Sequence, residues 1–416
     1  MDQMAPPETP SGRARSPYML AGLAAVAVVV AVGLLVGLGG LASGGPVATA
    51  STSPGPSPSP TPTEPPITPV PATPTPEPTI PPTPTPEPTP VLVPAPLTGL
   101  LVSPEAAMQQ PIAVMVDDHV DARPQAGFNA AAVVWHAPAE YDIPRYMLIF
   151  QDTIPGDVGP IRSARQYYIE WAAEWNALYV HHGGSPQAKA TLAARGNGQW
   201  VYNADGFRWE GRFLFRVSDR FAPHNVMTDG DHLRQLAGRV GAEDELLQAV
   251  WSFAPDRSAN LRPTDGRIVV RYPYETVSYR YDPATNSYRR FVGQAGQKLR
   301  AQVDAGDGQP VAPKNVVILR MAFGALTNDR HPEKGRVEAR NVGKGQAWIA
   351  TNGRTIKGIW RKASPTAPTL LFDRDGNPVT LTAGQTFVQV IKLSYGYEID
   401  DGDVPVVIPS SVEDPT

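Results

Sequence analysis

Cysteine is absent from the 416-residue chain. Its absence excludes a disulfide framework, thiol catalysis and thiolate metal sites. It also excludes a lipid attached to a cysteine behind a signal peptide. Any attachment to a membrane must therefore come from the polypeptide itself.

A marked excess of charge of one sign is also missing. The chain has 36 Lys and Arg residues against 40 Asp and Glu residues, a formal net charge of -4. A nucleic-acid partner would normally require a basic surface. We therefore expect no binding to DNA or RNA.

Charged residues are absent between Arg15 and Glu64, and residues 19–42 are almost all Ala, Val, Leu and Gly. An apolar run of this length can cross a bilayer as a helix. The apolar region of a cleaved signal peptide is shorter, about 7 to 15 residues. An uncleaved anchor is therefore favoured, although "ATA" at 48–50 offers a cleavage site.

Positive charge lies on one side of this run. Arg13 and Arg15 precede it, and no Lys or Arg follows for a long way. The positive-inside rule predicts a cytoplasmic tail at 1–18, a single-pass anchor in the cell membrane at 19–42, and an extracytoplasmic remainder. The membrane is thus the first expected partner.

Residues 43–97 are rich in Pro, Thr and Ser, and "TPTPEPT" begins at 73 and again at 83. Such a tract has too little apolar surface to form a core and favours the polyproline helix. At about 3.1 Å per residue it reaches on the order of 100 Å. We expect a disordered, semi-rigid spacer that suits the crossing of a cell-wall layer.

The segment 98–255 predicts an α/β domain, a mixed sheet with flanking helices. Four apolar runs are typical of buried strands: 111–119, 131–138, 145–150 and 177–184. Three segments predict helices: 159–175, Pro186 to about Ala194, and "TDGDHLRQLAGRVG".

The segment 264–400 consists of short β runs separated by turn sequences such as "PATN" and "DRDGN". This pattern predicts a second, mostly β domain. The Pro-rich and charged residues 253–265 indicate a hinge between the domains, and 401–416 a tail.

The stretch "VHHGGSPQA", residues 180–188, fits a strand-to-helix turn. Ser185 suits the N-cap, and Pro186 suits the first helical position. The same turn would leave backbone N–H groups near Gly183 and Gly184 free to bind an anion. A nucleophilic Ser185 is disfavoured, because the pattern is not G-x-S-x-G.

Histidines in two of the strands are candidate site residues. Neighbouring strand residues face opposite ways, so only one of His181 and His182 can serve a site, and either can equally be a hydrogen-bonded core histidine. Asp117 and His119 alternate so as to face one way, and carboxylate with imidazole suits a divalent ion. Without a third ligand, hydrogen bonding is favoured over a metal.

Arginines offer the sharper argument. Arg162 and Arg165 lie one turn apart at the start of a predicted helix, where the helix dipole disfavours positive charge and no partner is apparent. Arg145 opens a strand, so the three could converge on a carboxylate or phosphate. A solvated surface pair is the alternative. His224 and Asn225 follow a proline in a loop, a position that often serves binding.

The chain resembles the YerB-like family of predicted bacterial lipoproteins over about residues 100 to 395. The motifs are "IAVMVDDHVDARPQAGFNAAAVVWHAPAEYDIPRYMLIF", "VGPIRSAR", "HHGGSPQA" and "PHN", followed by "YRYDPATNSYRRF", "IKGIWRK" and "FDRDGNPVTLTAGQTFVQV". The resemblance implies an extracytoplasmic envelope protein with a two-part domain of unknown function. Its pattern matches Asp117, His119, Arg123, Pro124, Gly127, Arg145, Gly159, Arg162, Arg165, Gly183, Gly184, Ser185, Pro223, His224 and Asn225.

Three features depart from that family. The chain has an apolar anchor where the family has a lipidated cysteine, and His136 stands where a glutamate is expected. At 140–145, "EYDIPR" replaces a stretch similar to "EGGITR", so Tyr141 and Asp142 stand in place of two glycines. The last change puts contacts of that loop's backbone in doubt.

We expect a tethered binding module for an anionic ligand, such as a cell-wall component, held at the carboxyl ends of the strands. One alternative is a metal-assisted hydrolase that uses Asp117 and His119 with His181 or His224. Another is a structural partner of a second envelope protein through the β domain. No cofactor is required, although the hydrolase would need a divalent metal.

Overall fold

The structure, a computed structural model, describes residues 90–153, 155–245 and 249–403. The predicted tail at 1–18, the anchor at 19–42 and most of the linker lie outside the described residues. Within the described part of the chain, no helix is both long and apolar enough to cross a bilayer.

The end of the predicted linker is part of the folded structure. A short strand lies at Val93–Pro94, and the side chains of Ala95 and Leu97 are buried. Residues 93–97 therefore contribute to the core rather than to a spacer.

Twenty-four strands and five α-helices occur in the described ranges. The strands of the N-terminal part are β1 (Val93–Pro94), β2 (Leu101–Val102), β3 (Ile112–Asp117), β4 (Val133–Pro138), β5 (Pro144–Phe150), β6 (Asp157–Val158), β7 (Leu178–His181), β8 (Tyr202–Asp205), β9 (Phe215–Arg216), β10 (Val226–Asp229) and β11 (Ser252–Ala254). The helices are α1 (Pro104–Met108), α2 (Gln166–Ala172), α3 (Pro186–Arg195), α4 (Gly206–Trp209) and α5 (Gly230–Val240).

The C-terminal part is mostly β, as the sequence predicts. Its strands are β12 (Arg267–Arg271), β13 (Glu275–Asp282), β14 (Ser287–Gln294), β15 (Arg300–Ala301), β16 (Asn315–Met321), β17 (Phe323–Ala325), β18 (Val337–Ala339), β19 (Gly343–Thr351), β20 (Arg354–Lys362), β21 (Leu370–Asp373), β22 (Thr380–Thr382), β23 (Thr386–Lys392) and β24 (Gly396–Asp400).

One ten-stranded mixed sheet runs through both parts, in the order β21-β20-β19-β16-β23-β4-β5-β3-β7-β8. The two parts meet where β23 pairs in parallel with β4, with Thr386 opposite Val133. Without this pairing β4 would present an open edge of unpaired backbone groups. The described residues accordingly belong to one compact unit, and β11, inside the predicted hinge, pairs with β22.

Alternation along β3 explains how the large sheet is buried on both faces. Val114 and Val116 join the core that lies against a five-stranded antiparallel sheet, β15-β14-β13-β12-β24. Ala113 and Met115 point the other way, into a core that contains Trp171 of α2. Because both faces are covered, the strand reads as a continuous apolar run.

The helix predicted at 159–175 is shorter than expected. It begins at Gln166 and ends in a 3-10 turn at Ala173–Trp175. The preceding segment is extended, because the N–H of Ile161 donates to Val226 O (2.6 Å) and that of Arg162 to Met115 O (2.8 Å). Arg162 therefore lies outside the helix and Arg165 is its N-cap residue, which corrects the argument from the helix dipole.

The other two predicted helices are confirmed. Ser185 caps α3 by accepting a hydrogen bond from the N–H of Ala188 (3.3 Å), and Pro186 is the first helical residue. Asp229 caps α5 in the same way through the N–H of His232 (2.9 Å).

Candidate functional site

A cavity of about 350 Å³ opens where β3 ends and β5 begins. Five cationic side chains and two carboxylates line it, so five minus two leaves a formal charge of +3. We call it the cation-rich cavity. Its cations are Arg145, Arg162, Arg165, Lys334 and Arg336, and its carboxylates are Asp117 and Glu140.

The three arginines singled out by the sequence do meet here, each brought by a different element. Arg145 lies on β5 directly opposite Asp117 of β3. Arg162 is held in the extended segment by its backbone bond to β3, and Arg165 stands at the start of α2. Lys334 and Arg336 come from the C-terminal part, so the cavity needs both parts of the chain.

Glu140 is the partner that sequence reasoning missed. Arg145 donates from Nη2 to its Oε2 (2.7 Å), and Arg165 contacts its Oε1. Burial alone would raise the pKa of Glu140, but the two guanidinium groups outweigh it and hold that pKa below its ordinary value. The expectation that these arginines have no partner within the chain is therefore wrong.

Positive charge in the cavity is still only partly matched. Arg162 Nε lies 3.0 Å from Asp117 Oδ2, close enough for an ion pair but not aligned for a hydrogen bond. Among the described residues, the buried Nε atoms of both Arg162 and Arg165 have no hydrogen-bond acceptor. Burial and the nearby Arg145 charge lower the pKa of Arg165 to about 10, so it stays charged at neutral pH.

The rim of the cavity keeps a backbone that glycine would favour. Tyr141 and Asp142, which replace two glycines of the family pattern, have φ of 54° and 66°. The Tyr141 N–H donates to Gly335 O (3.2 Å), and Asp142 pairs with Lys392. Backbone strain of this kind costs of order 1–3 kcal/mol and collects at binding sites. The loop thus holds Tyr141 and Asp142 in the left-handed region that favours glycine.

A group of histidines borders the cavity. His224 Nδ1 lies 2.6 Å from Asp117 Oδ2, and the rings of His119 and His224 stack with centroids 4.7 Å apart and planes 16° from parallel. The histidine that joins Asp117 and His119 is thus His224. His181 lies elsewhere: it is buried with Nδ1 2.7 Å from Gly183 O and Nε2 2.8 Å from Asn203 Oδ1. It is a hydrogen-bonded core histidine.

The turn at Gly183 and Gly184 is tied to neighbouring segments by its backbone. The Gly183 N–H donates to Asp205 Oδ1 (3.0 Å), and the Ser185 N–H donates to Ala164 O (3.2 Å). The turn therefore holds the segment before α2 in place, and Gly184 bridges to Ala164 for the same purpose. The Gly183 amide is thus already engaged, and the anion-binding role of the turn stays a prediction.

Asn225 also serves the structure of its own loop. Its Oδ1 accepts from Arg216 Nη1 (2.8 Å), and its Nδ2 donates to Val217 O (3.2 Å). The loop so fixed carries His224 to Asp117 and His119, which line the cavity.

A second cavity, of about 400 Å³, adjoins the first and shares His119 and Ile143 with it. At its base the buried Asp118 accepts from Arg123 Nη2 (2.8 Å) and pairs with His136 Nε2 (2.8 Å). Arg123 also contacts Glu275 of β13. This cluster was not predicted. Alternation along the strand could have indicated it, because Asp118 faces the side opposite to Asp117, towards the five-stranded sheet.

Charges in the second cavity are strongly coupled. Burial and the Asp118 carboxylate raise the pKa of Glu275 well above its ordinary range, which favours a protonated Glu275 beside an ionised Asp118. Burial also lowers the pKa of His136 to about 4, so this imidazole is neutral near pH 7. The histidine that replaces the family glutamate therefore adds a hydrogen-bonding group without adding charge.

The fold and the site define a two-part protein, and the family models that match it describe a family of unknown function. Residues 97–243 match the N-terminal domain, and 268–388 the C-terminal domain, of the family described as "Protein of unknown function (DUF3048)". The chain is 28% identical over 303 residues to "Putative lipoprotein YerB" of Bacillus subtilis, which covers 71% of this chain and 86% of that protein. The chain belongs to this YerB-like family.

A crystal structure of YerB from Bacillus subtilis has the same fold. It superposes with a TM-score of 0.63 at 26% identity and covers 74% of this chain and 99% of that chain. The overall fold is therefore shared.

Proposed function

We propose that the protein is a membrane-anchored, extracytoplasmic binding module that takes an anionic ligand into the cation-rich cavity. The name of the Bacillus subtilis relative, "Putative lipoprotein YerB", supports attachment to the outer face of a membrane. In this chain the apolar run at 19–42 would supply the anchor that the missing cysteine cannot.

The observation that carries the proposal is the unmatched positive charge. Five cations, of which Lys334 is exposed, face two carboxylates, and Asp329, which pairs with Arg336 at 2.7 Å, reduces the excess from +3 to +2. Crowding like charges into a partly buried space is unfavourable unless a counter-charge enters.

The cavity size and its donors define the ligand class. At about 350 Å³ the cavity suits a small group rather than a whole polymer. Guanidinium groups bind carboxylate or phosphate through paired hydrogen bonds. We infer that the ligand presents a phosphate or carboxylate, either on a cell-wall precursor or on the repeating unit of a cell-wall polymer.

Titration calorimetry of the full-length chain, kept in solution with a mild non-ionic detergent, tests this proposal with pyrophosphate and citrate as probes. We expect Arg162→Gln to weaken binding about 10- to 100-fold, since a hydrogen bond to a charged group contributes about 1.5–3 kcal/mol. The Arg162 side chain is 27% exposed, so the variant should still fold.

Arg271→Gln is the matched control. It removes the same charge from an exposed ion pair with Glu398, which lies on β24 outside the cavity. Binding by this variant should stay within about twofold of wild type. Failure of both probes to bind the wild-type chain, or equal loss in the two variants, would overturn the proposal. A pull-down with cell-wall fractions tests whether the ligand belongs to the envelope. Arg162→Gln should reduce the amount of protein retained, and Arg271→Gln should not.

A further inference from the structure

The stacked histidines beside the cavity have a geometry that the anion site does not use. His224 is largely buried, and its Nδ1 faces the buried carboxylate of Asp117 at 2.6 Å. At that distance Nδ1–H is the donor, so the lone pair of the ring lies on Nε2. A carboxylate that orients a histidine in this way is the usual support of a metal-binding imidazole.

His119 brings the second imidazole and a carboxylate with it. It caps a 3-10 turn at Val120–Ala122, and its Nδ1 lies 3.4 Å from Asp121 Oδ2. The hydrogen bond it accepts from the Asp121 N–H is long, at 3.3 Å, so little is lost if a metal displaces it. Asp121 is 68% exposed and has room to turn.

We propose that His119, His224 and Asp121 form a site for one divalent metal ion, with Zn²⁺ as the best match. One donor atom from each of the three lies within 4.8 Å of the others. Ligands of a tetrahedral Zn²⁺ lie about 3.3 Å apart, given bonds of about 2.0–2.2 Å. The rings of His119 and His224 are nearly parallel, so one ion lies in both ring planes only after His119 rotates out of the stack and the exposed Asp121 side chain turns towards it. Two nitrogens and one oxygen are a donor set that Zn²⁺ prefers to Mg²⁺ or Ca²⁺.

Asp117 supports this site without being a ligand in it. Its Oδ2 is shared between His224 and the Arg162 guanidinium, which neutralises its charge. Three protein ligands leave a fourth position open to water or to an oxygen of a bound molecule. His119 lines both cavities, so that open position would face the space between them. The metal site does not rest on anion binding in the cation-rich cavity.

Zn²⁺ alone is the probe that tests this proposal. The full-length, tag-free chain is treated with chelator and titrated with Zn²⁺ by calorimetry, and thermal unfolding is followed with and without the ion. We expect about one equivalent to bind and the melting temperature to rise, because an ion that binds only the folded state stabilises it. His119→Gln should weaken binding at least tenfold, and Asp117→Asn about 10- to 100-fold.

His331→Gln provides the matched control. His331 lies beside a carboxylate too, with Nδ1 3.0 Å from Glu333 Oε1, but it is exposed and belongs to no group of three candidate ligands among the described residues. Its loss should leave the binding of Zn²⁺ unchanged. The His119 side chain is 37% exposed, so His119→Gln should still fold without metal. Unaltered binding by His119→Gln, or no binding by the wild-type chain, would refute the site.

Discussion

Glu140→Gln tests most directly how the cation-rich cavity is balanced. The substitution keeps the size of the side chain and removes the carboxylate that Arg145 and Arg165 share. The side chains of these three residues are only 17%, 9% and 8% exposed, so water cannot replace the lost charge. Two guanidinium groups would then face each other without a counter-charge.

Removing one partner of a buried ion pair costs about 3–5 kcal/mol. In a unit of this size each kcal/mol moves the melting temperature by about 2 °C, so we expect a fall of roughly 6–10 °C. Glu398→Gln, which breaks an exposed pair with Arg271, should lower it by less than about 2 °C. Thermal unfolding at pH 7 and moderate salt measures both.

Two further measurements distinguish the loss of a counter-charge from a general loss of stability. The variant cavity carries one more net positive charge, so pyrophosphate should raise its melting temperature by more than it raises that of wild type. The stability supplied by Glu140 is present above its ordinary pKa of 4.5 and is lost as pH falls through the lower pKa of the folded state. The gap between wild type and variant should therefore shrink in acid.

The reasoning about the cavity fails if Glu140→Gln melts within about 1 °C of wild type. It fails equally if the variant is destabilised but pyrophosphate restores no more stability to it than to wild type. The first result would mean that the arginines are solvated, and the second that the cavity does not attract anions.

Two further predictions concern buried charges outside the cation-rich cavity. Burial raises the pKa of Glu275 to about 8, so the folded state keeps a proton that the unfolded state releases, and stability should fall as pH rises from about 4.5 towards 8. Glu275→Gln should make that fall shallower in a series of thermal melts. Lys362→Met should cost about 3–5 kcal/mol in urea unfolding, because it leaves Glu174 buried and unpaired; their atoms lie 2.8 Å apart and both side chains are fully buried. Adding Glu174→Gln should recover much of the loss, and an additive second loss would contradict the pairing.

Local pattern was enough to predict several elements of the fold. The apolar run at β3, the cap at Ser185 and the helix at α5 each depend on neighbouring residues only, and they were predicted correctly. The start of α2 was not. Apolar periodicity extends back to Ile161, but the backbone there bonds to β3 and β10, which are far away in sequence.

The candidate site residues differ in the same way: some were evident from local sequence, and others depend on contacts between distant residues. Arg145, Arg162 and Arg165 drew attention because their charges broke a local rule, and they do converge. Glu140 could not be assigned as their partner from the sequence. It pairs with residues 5 and 25 positions further along the chain, and the sequence does not show how the chain folds between them. From the sequence, His181 and His224 were equal candidates for the site with Asp117 and His119. The role of a histidine depends on its hydrogen-bond partners, which only the structure shows.

By itself, the sequence determined the anchor-like run, the Pro-rich tract, the order of strands and helices, and which residue types were available for chemistry. These depend on composition and on periods of two or 3.6 residues, which are local properties. The tertiary structure alone decided that both parts share one sheet, that Lys334 and Arg336 join three distant arginines, and that His119 stacks on His224. Such contacts arise from strand pairing and burial between residues far apart in the chain, and no local pattern encodes their distances.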